Sequence, residues 1–304
     1  MKNFFQSAIV DIKKNKFKYL LILPVLVYLI LFAYKPMYGV IIAFKKYRPG
    51  LGIMGSPWVG FKYFRQFFSD PYFFRTLRNT FVISFQQLLF GFPMPIILAL
   101  LLNEVKNKWF KKTVQTVSYM PHFISLVVVC GIVKNFCQSN GVINDIIAFF
   151  GGERQNLLAQ AQYFRSIYLI SGIWQQIGWD SIIYLAALSG IDVEQYEAAK
   201  IDGASRLKQM WYITLPGIMP TISTLLVLKI GKVLGVGYEK ILLLYSETTY
   251  NVADVISTYV YRRGLVSAEF SYSTAVGLFN SVVNLLFLVV ANKVSKKMGQ
   301  SGLY

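Results

Sequence analysis

Acidic residues are scarce in this sequence: 14 of 304 positions, against 31 lysines and arginines. Histidine occurs once and cysteine twice. Each shortage removes a class of chemistry. The lone histidine, His122, cannot assemble a zinc site, and beside Pro121 it reads as a structural residue near a kink. Cys130 and Cys137 fall two helical turns apart, about 10 Å, too far for a disulfide, so both read as packing residues. There is no HExxH, GxSxG or Cys-x-x-Cys, and no GxxxxGK[ST] loop to cradle the phosphates of ATP. The usual bases for hydrolytic, redox and nucleotide chemistry are missing from the chain itself.

Charge of either sign is thin as well. Charged residues make up 15% of the chain, whereas soluble proteins average about 25%. Hydrophobic residues make up 55%, and the stretches 79–103, 113–133 and 270–292 carry no charge at all. Each is long enough for the roughly 20 residues a helix needs to cross a bilayer. Continuous apolar runs exclude an outer-membrane barrel, whose strands alternate in short segments. The pattern predicts an all-α polytopic membrane protein with six spans, near 18–40, 80–102, 114–135, 166–189, 214–236 and 271–292, the fifth extending or breaking into an apolar tail at 241–245. The N-terminal apolar stretch 19–34 lacks a small-residue cleavage signal and reads as an uncleaved first span.

In a soluble chain a net charge of +17 would point to nucleic acid; here it reads as positive flanks on membrane helices, with no nucleic-acid partner. Lys2, Lys13, Lys14, Lys16 and Lys18 precede the first span, Lys106, Lys108, Lys111 and Lys112 follow the second, and Lys293, Lys296 and Lys297 follow the last. Six spans put all three clusters on one face, which the positive-inside rule makes cytoplasmic, along with both termini. One outer loop runs against this, holding Lys45, Lys46, Arg48, Lys62, Arg65, Arg75 and Arg78. An amphipathic surface helix over 58–78, its aromatics at helical spacing, eases the conflict.

Polar groups inside a membrane line cavities or join helices. In the fourth span Trp174, Gln175, Gln176, Trp179 and Asp180 combine aromatic faces with amide and carboxylate groups, a set suited to sugar rings and hydroxyls; helix–helix hydrogen bonding is the plainer reading. Asn280 and Asn284 form an i,i+4 stripe that is either pore lining or interhelical glue. The fifth span carries Lys229, Gly231, Lys232, Gly235 and Gly237, with Glu239 and Lys240 beyond. A gated helix beside a translocation path accounts for that mixture, and so does a close packing seam built on Gly231 and Gly235. Pro93 and Pro95 mark a kink in the second span.

The stretch 192–220, DVEQYEAAKIDGASRLKQMWYITLPGIMP, is a polar island between two apolar segments. Asp192 is placed to N-cap a helix over 193–201, with Gln195 completing a capping box. Asp202-Gly203 breaks that helix, and Asp202 is placed to cap a second one over 204–211. Pro216 falls at the start of the fifth span, where proline is tolerated. The product is a helix–turn–helix knob shaped for a partner's groove.

The spacing Glu197-Ala198-Ala199, three residues, Gly203, nine residues, Ile213, one residue, Leu215-Pro216 matches the EAA signature of the permease subunits of binding-protein-dependent ABC importers. Asp202-Gly203-Ala204 resembles the sugar-permease version. Pro36-Met37-Tyr38-Gly39, Asn103-Glu104 and Tyr259-Val260-Tyr261-Arg262-Arg263-Gly264 look similar to the polysaccharide-type members of the multiple-sugar group. The resemblance implies a type I ABC importer permease in a prokaryotic cytoplasmic membrane. It implies a transmembrane core over 76–292 with its coupling loop at 192–220, preceded by a segment 1–75 and followed by a tail 293–304. Implied partners are a second, homologous permease subunit, two ATP-binding subunits that carry ATP and Mg, and an extracytoplasmic solute-binding protein. The chain itself is then a pore-forming subunit with no cofactor, metal or catalytic residue, carrying a carbohydrate. An anionic sugar or glycerol-phosphate is the alternative cargo, and a non-transporting scaffold the alternative class.

Overall fold

A computed structural model describes residues 14–297 together with Asp11 and Gly299; Lys2, Lys13 and most of the tail 298–304 lie outside the described residues. The described chain is helical, its only β pairing a bridge between Lys45 and Trp58. In chain order the helices that matter are α1 (Lys16–Phe44), α2 (Lys62–Phe68), α3 (Phe73–Glu104), α4 (Lys108–Tyr119), α5 (Leu126–Cys137), α6 (Val142–Phe149), α7 (Ala161–Ser189), α8 (Val193–Ile201), α9 (Arg206–Ile230), α10 (Tyr238–Leu244), α11 (Ile256–Tyr261) and α12 (Phe270–Lys297).

By length and composition α1, α3, the α5–α6 stretch Leu126–Phe149, α9 and α12 are able to cross a membrane. With 29 residues, α7 reaches about 44 Å at 1.5 Å per residue, so it too exceeds a bilayer's apolar thickness while carrying the polar group at 175–180. The third span departs from the sequence expectation. In place of one helix over 114–135, α4 stops at Tyr119, Met120–Phe123 forms a 3-10 turn, and α5 restarts at Leu126. Pro121 lies in the turn, and Ser125 caps the restart by accepting from the Val128 N–H.

Prolines shape the helices in a second, regular way. Widened π-turns at Ile30–Tyr34, Gln87–Gly91 and Met210–Thr214 each end two residues before a proline: Pro36, Pro93 and Pro216. A proline ring clashes with the carbonyl four residues back and offers no N–H to it. The extra residue of a π-turn opens the helix there, and the i→i−5 bonds, such as Leu215 N–H to Met210 O, keep the other groups paired.

The chain divides into two compact units. In the first, Met1–Phe67 with Arg263–Leu278, Phe44 stacks on Trp58 at 5.7 Å and meets Phe61 and Phe64 at 5.4 Å each. Lys45 donates to the Ile53 and Met54 carbonyls, at 2.9 and 3.0 Å. The surface helix expected over 58–78 is shorter: α2 covers 62–68 only, and after Asp70-Pro71 the chain turns directly into α3. Asp70 caps this turn by accepting from the Tyr72 N–H at 2.8 Å. Along α1 the apolar side chains from Phe17 to Leu31 are almost all exposed, as a lipid-facing helix requires.

The second unit, Phe68–Arg262 with Phe279–Tyr304, is built around α7, which packs against α3, α4 and α9. Gly178 sets the α4–α7 approach: a Cβ there would run into the Ser118 carbonyl oxygen. One apolar cluster joins Ile83, Cys130, Cys137, Phe164, Tyr168 and Ile241, so both cysteines are buried free thiols in the core. A second joins Ile96, Ala99, Tyr184, Leu188 and Ile218.

Candidate functional site

The fifth span breaks. α9 ends at Ile230, residues 231–237 run without helix, and α10 resumes at Tyr238. Gly231 and Gly235 therefore do not form a packing stripe on one helix, and Lys232 lies past the helix end rather than on a common face with Lys229. Unpaired backbone is costly away from water, so such a break needs side chains to satisfy it. Three supply that need. Ser84 of α3 donates to the Val233 carbonyl, Asn284 of α12 accepts from the Leu234 N–H at 2.9 Å, and Ser257 of α11 donates to the Val236 carbonyl at 3.0 Å.

Cavities open around this break. One of 370 Å³ is bordered by Gly91, Trp179, Asp180, Tyr184, Lys229 and Lys232. A second of 260 Å³ is bordered by Gln87, Gln175, Gln176, Asp180, Lys229 and Lys240. A third of 340 Å³ lies along Ser84, Gln87, Lys229, Lys232 and the broken segment at Val233–Val236. Lys229 borders all three and Asp180 two. The structure thus brings together Gln175, Gln176, Trp179, Asp180, Lys229 and Lys232, six residues singled out by the sequence, and gives Trp174 an exposed position outside these linings. Asn284 serves the backbone of the break, and the Oδ1 of Asn280 is buried without a hydrogen-bond partner among the described residues; neither borders these three cavities.

Two further residues, His122 and Lys240, belong to the site although the sequence reading does not place them there. His122 lies flat on Trp179, ring centres 4.3 Å apart, and its Nδ1 is 2.9 Å from Gln176 Oε1. It so fixes the rotamers of two cavity residues, a structural role with a specific object. Lys240 is 8% exposed and donates to the Tyr168 carbonyl at 2.9 Å. Its position beyond the expected end of the fifth span hid it.

The island 192–220 forms the expected knob, with two changes in its capping. Asp192 caps α8 by accepting from the Glu194 N–H at 3.0 Å, not from Gln195 at the capping-box position. Asp202 ends α8, and Ser205 caps α9 through the Lys208 N–H. Gly203 takes φ +75°, and the bonds Ala204 N–H to Ala199 O (2.8 Å) and Gly203 N–H to Lys200 O (3.1 Å) make a Schellman turn. The spacing from Ala199 through Gly203 to Ala204 is thus the geometry of one helix stop. Tyr196 ties α8 back to the root of α9 by a 2.9 Å bond to Thr214, which is buried. The knob's outer surface is open: Glu197 and Ala198 are exposed, and Val193, Ile201, Leu207, Trp211 and Tyr212 are 64–87% exposed. Ile213 and Leu215 are half-buried and Pro216 is exposed, while Ile218, one turn on, is fully buried in the cluster with Tyr184. The knob's root is therefore packed against a residue of the cavity wall.

Residues 91–300 match the sequence profile of the binding-protein-dependent transport system inner membrane component family. The chain belongs to that family. It is 48% identical over 98% of its length to the polygalacturonan/rhamnogalacturonan transport system permease protein YteP of Bacillus subtilis (strain 168), covering 94% of that protein. It is equally similar to protein LplB of the same organism, 48% over 299 residues, 98% of this chain and 94% of that one. Its fold matches a chain in the crystal structure of a bacterial ABC transporter involved in the import of the acidic polysaccharide alginate, with a TM-score of 0.89 and 46% identity over 96% of this chain and 99% of that one. A chain from the same kind of transporter, in complex with an alginate pentasaccharide-bound periplasmic protein, matches at a TM-score of 0.90 and 46% identity, covering 96% and 98%. This is a multi-pass ABC importer permease of the type I fold.

The permease also carries a buried ion cluster formed from three stretches of the chain, α3, α7 and 251–262. Asp254, 0% exposed, takes a two-pronged contact from Arg262 at 2.8 and 2.7 Å, a third from Arg75 at 3.4 Å, and the Thr258 hydroxyl at 2.7 Å. Asn79 donates to the Asn251 and Asp254 carbonyls while accepting from Arg165 at 2.8 Å. Burial pulls the Arg262 guanidinium down, but its bonds to Asp254 and Tyr245 outweigh burial and hold it above its ordinary value. Arg75, one of the cations that strained the topology, is thus partly neutralised within the fold.

Proposed function

We propose that this chain is the membrane-spanning permease subunit of a carbohydrate ABC importer, and that its cargo is an acidic oligosaccharide. The observation that carries the charge assignment is the cavity wall: Lys229 and Lys232 stand with Trp179 and the single carboxylate of Asp180 around one 370 Å³ space. Indole faces suit sugar rings, and ammonium groups suit carboxylates. The polymers named for its relatives, polygalacturonan and alginate, are chains of uronic acids.

In this reading the permease pairs with a second, homologous subunit, and the two knobs seat in two ATP-binding subunits that hold ATP and Mg. Hydrolysis takes place on those partners and not in this chain. Glu197, Ala198, Ala199, Asp202, Gly203, Ala204, Ile213, Leu215 and Pro216 form the coupling surface, with both termini on its cytoplasmic side and the transmembrane core over 76–292. A solute-binding protein delivers cargo from the opposite side. Closure of the ATPases draws the knobs together and re-aims the helices that border the cavity, a rigid-lever form of alternating access.

Proteoliposomes holding the complete complex and its binding protein test the cargo class. Labelled tetragalacturonate should accumulate when ATP is supplied, and neutral cellotetraose should not. Equal or faster uptake of the neutral sugar would contradict the acidic assignment.

A further inference from the structure

Lys240 is a buried ammonium without a carboxylate partner among the described residues. Its contacts are the Tyr168 carbonyl at 2.9 Å and the face of the Tyr168 ring at 4.8 Å. An ammonium has three donors, so the carbonyl leaves two unused. Removing a charge from water without a counter-ion is expensive, and ionisable groups kept at such positions generally serve a function. The surroundings are shaped for access to the charged end. Gly172 faces it, and a Cβ at that position would lie 3.1 Å from the Nζ. The 260 Å³ cavity that Lys240 borders also contains Gln87, Gln175, Gln176, Asp180 and Lys229. Asp180, the one carboxylate in the linings of these three cavities, shares two of them with Lys229, and it makes no ion pair with Lys240 among the described residues.

We infer that Lys240 is a specificity-determining residue: its ammonium binds a carboxylate of the cargo as that cargo passes the break in the fifth span. This rests on the acidic-oligosaccharide reading and deepens it, by assigning a buried charge to a single cargo group while Lys229 and Lys232 supply the more open wall. Amide groups of Gln175 and Gln176, on the same cavity, are placed for the adjoining hydroxyls.

Lys240→Gln separates charge from structure. Glutamine's amide keeps a donor for the Tyr168 carbonyl but has no charge. In the reconstituted complex with saturating, cargo-loaded binding protein, K240Q should slow tetragalacturonate uptake about tenfold to a hundredfold, the loss of one charge-assisted bond. K240R should restore most of it. ATP hydrolysis stimulated by cargo-free binding protein should stay at the wild-type rate in both variants. Wild-type uptake by K240Q would overturn the inference. So would parallel loss of uptake, ATP hydrolysis and assembly, because Lys240 would then be a structural tie between α10 and α7. A wild-type complex that moves cellotetraose but not tetragalacturonate would instead overturn the underlying cargo reading, whatever the variants do.

Discussion

At the residue scale, two positions carry more than their neighbours. Gly203 holds a left-handed conformation that closes the Schellman turn. An L side chain in that conformation costs about 1–2 kcal/mol, so Gly203→Asp or Gly203→Ala should leave the protein in the membrane while uncoupling transport from ATP. Membrane fractionation beside uptake assays checks this; lost membrane insertion would count against a local effect. Arg262 is the second. With Arg262→Met the fully buried Asp254 keeps the Thr258 hydroxyl but, as a charge partner, only the longer contact to Arg75. Breaking a buried pair from one side costs about 3–5 kcal/mol, a loss that a thermal melt of the purified complex would register. The sequence made the first position legible and hid the second. Ala199, Gly203 and Ala204 are close in the chain, so a spacing rule encodes their turn. Asp254, Thr258 and Arg262 follow one another at i, i+4 and i+8, but Arg75 and Asn79 of α3 and Arg165 of α7 lie far away in the chain, and no local pattern announces that they join them.

At the element scale the decisive feature is the interrupted fifth span. Hydropathy carries straight through 214–236, because the residues of the break, Lys232 apart, are glycines, valines and a leucine as apolar as a helix needs. What ends the helix at Ile230 is the supply of distant partners, Ser84, Asn284 and Ser257, for its backbone. Asn284 reads in sequence as either pore lining or glue, and its bond to the Leu234 N–H makes it the support of the break. Asn284→Leu should then strand that buried N–H at about 1–3 kcal/mol. Lower thermal stability together with slower transport is the expected result; a stable variant with altered cargo preference would instead make Asn284 a contact for cargo. The proline-linked π-turns belong to this scale too. Pro93 was legible as a kink, but the widened turn at Gln87–Gly91 that accommodates it was not, since hydrogen-bond register leaves no compositional trace.

For the whole molecule, the deficit of charge and the long apolar stretches were enough to give an all-helical membrane protein, and the spacing of 197–216 gave its family. The cavity was half legible. Trp179, Asp180 and Lys229 are legible as polar or aromatic residues in apolar helices, but which of their faces converge depends on how α3, α4, α7 and α9 pack. That packing turns on contacts such as Gly178 against Ser118. Lys240 belongs to the same site and is not legible there in the sequence, because a lysine near a helix end ordinarily faces water.

The central claim is that this chain receives the energy of ATP through the knob at 192–220 and spends none of its own. ATP-driven uptake of tetragalacturonate by the complete complex, with wild-type chain or Glu197→Lys, tests it most directly. Glu197 is exposed on α8 and supports nothing inside the fold, so the variant should assemble in the membrane with its partner permease. The account predicts ATP-dependent accumulation with the wild type and uptake at background with Glu197→Lys. Undiminished uptake by the variant would contradict it.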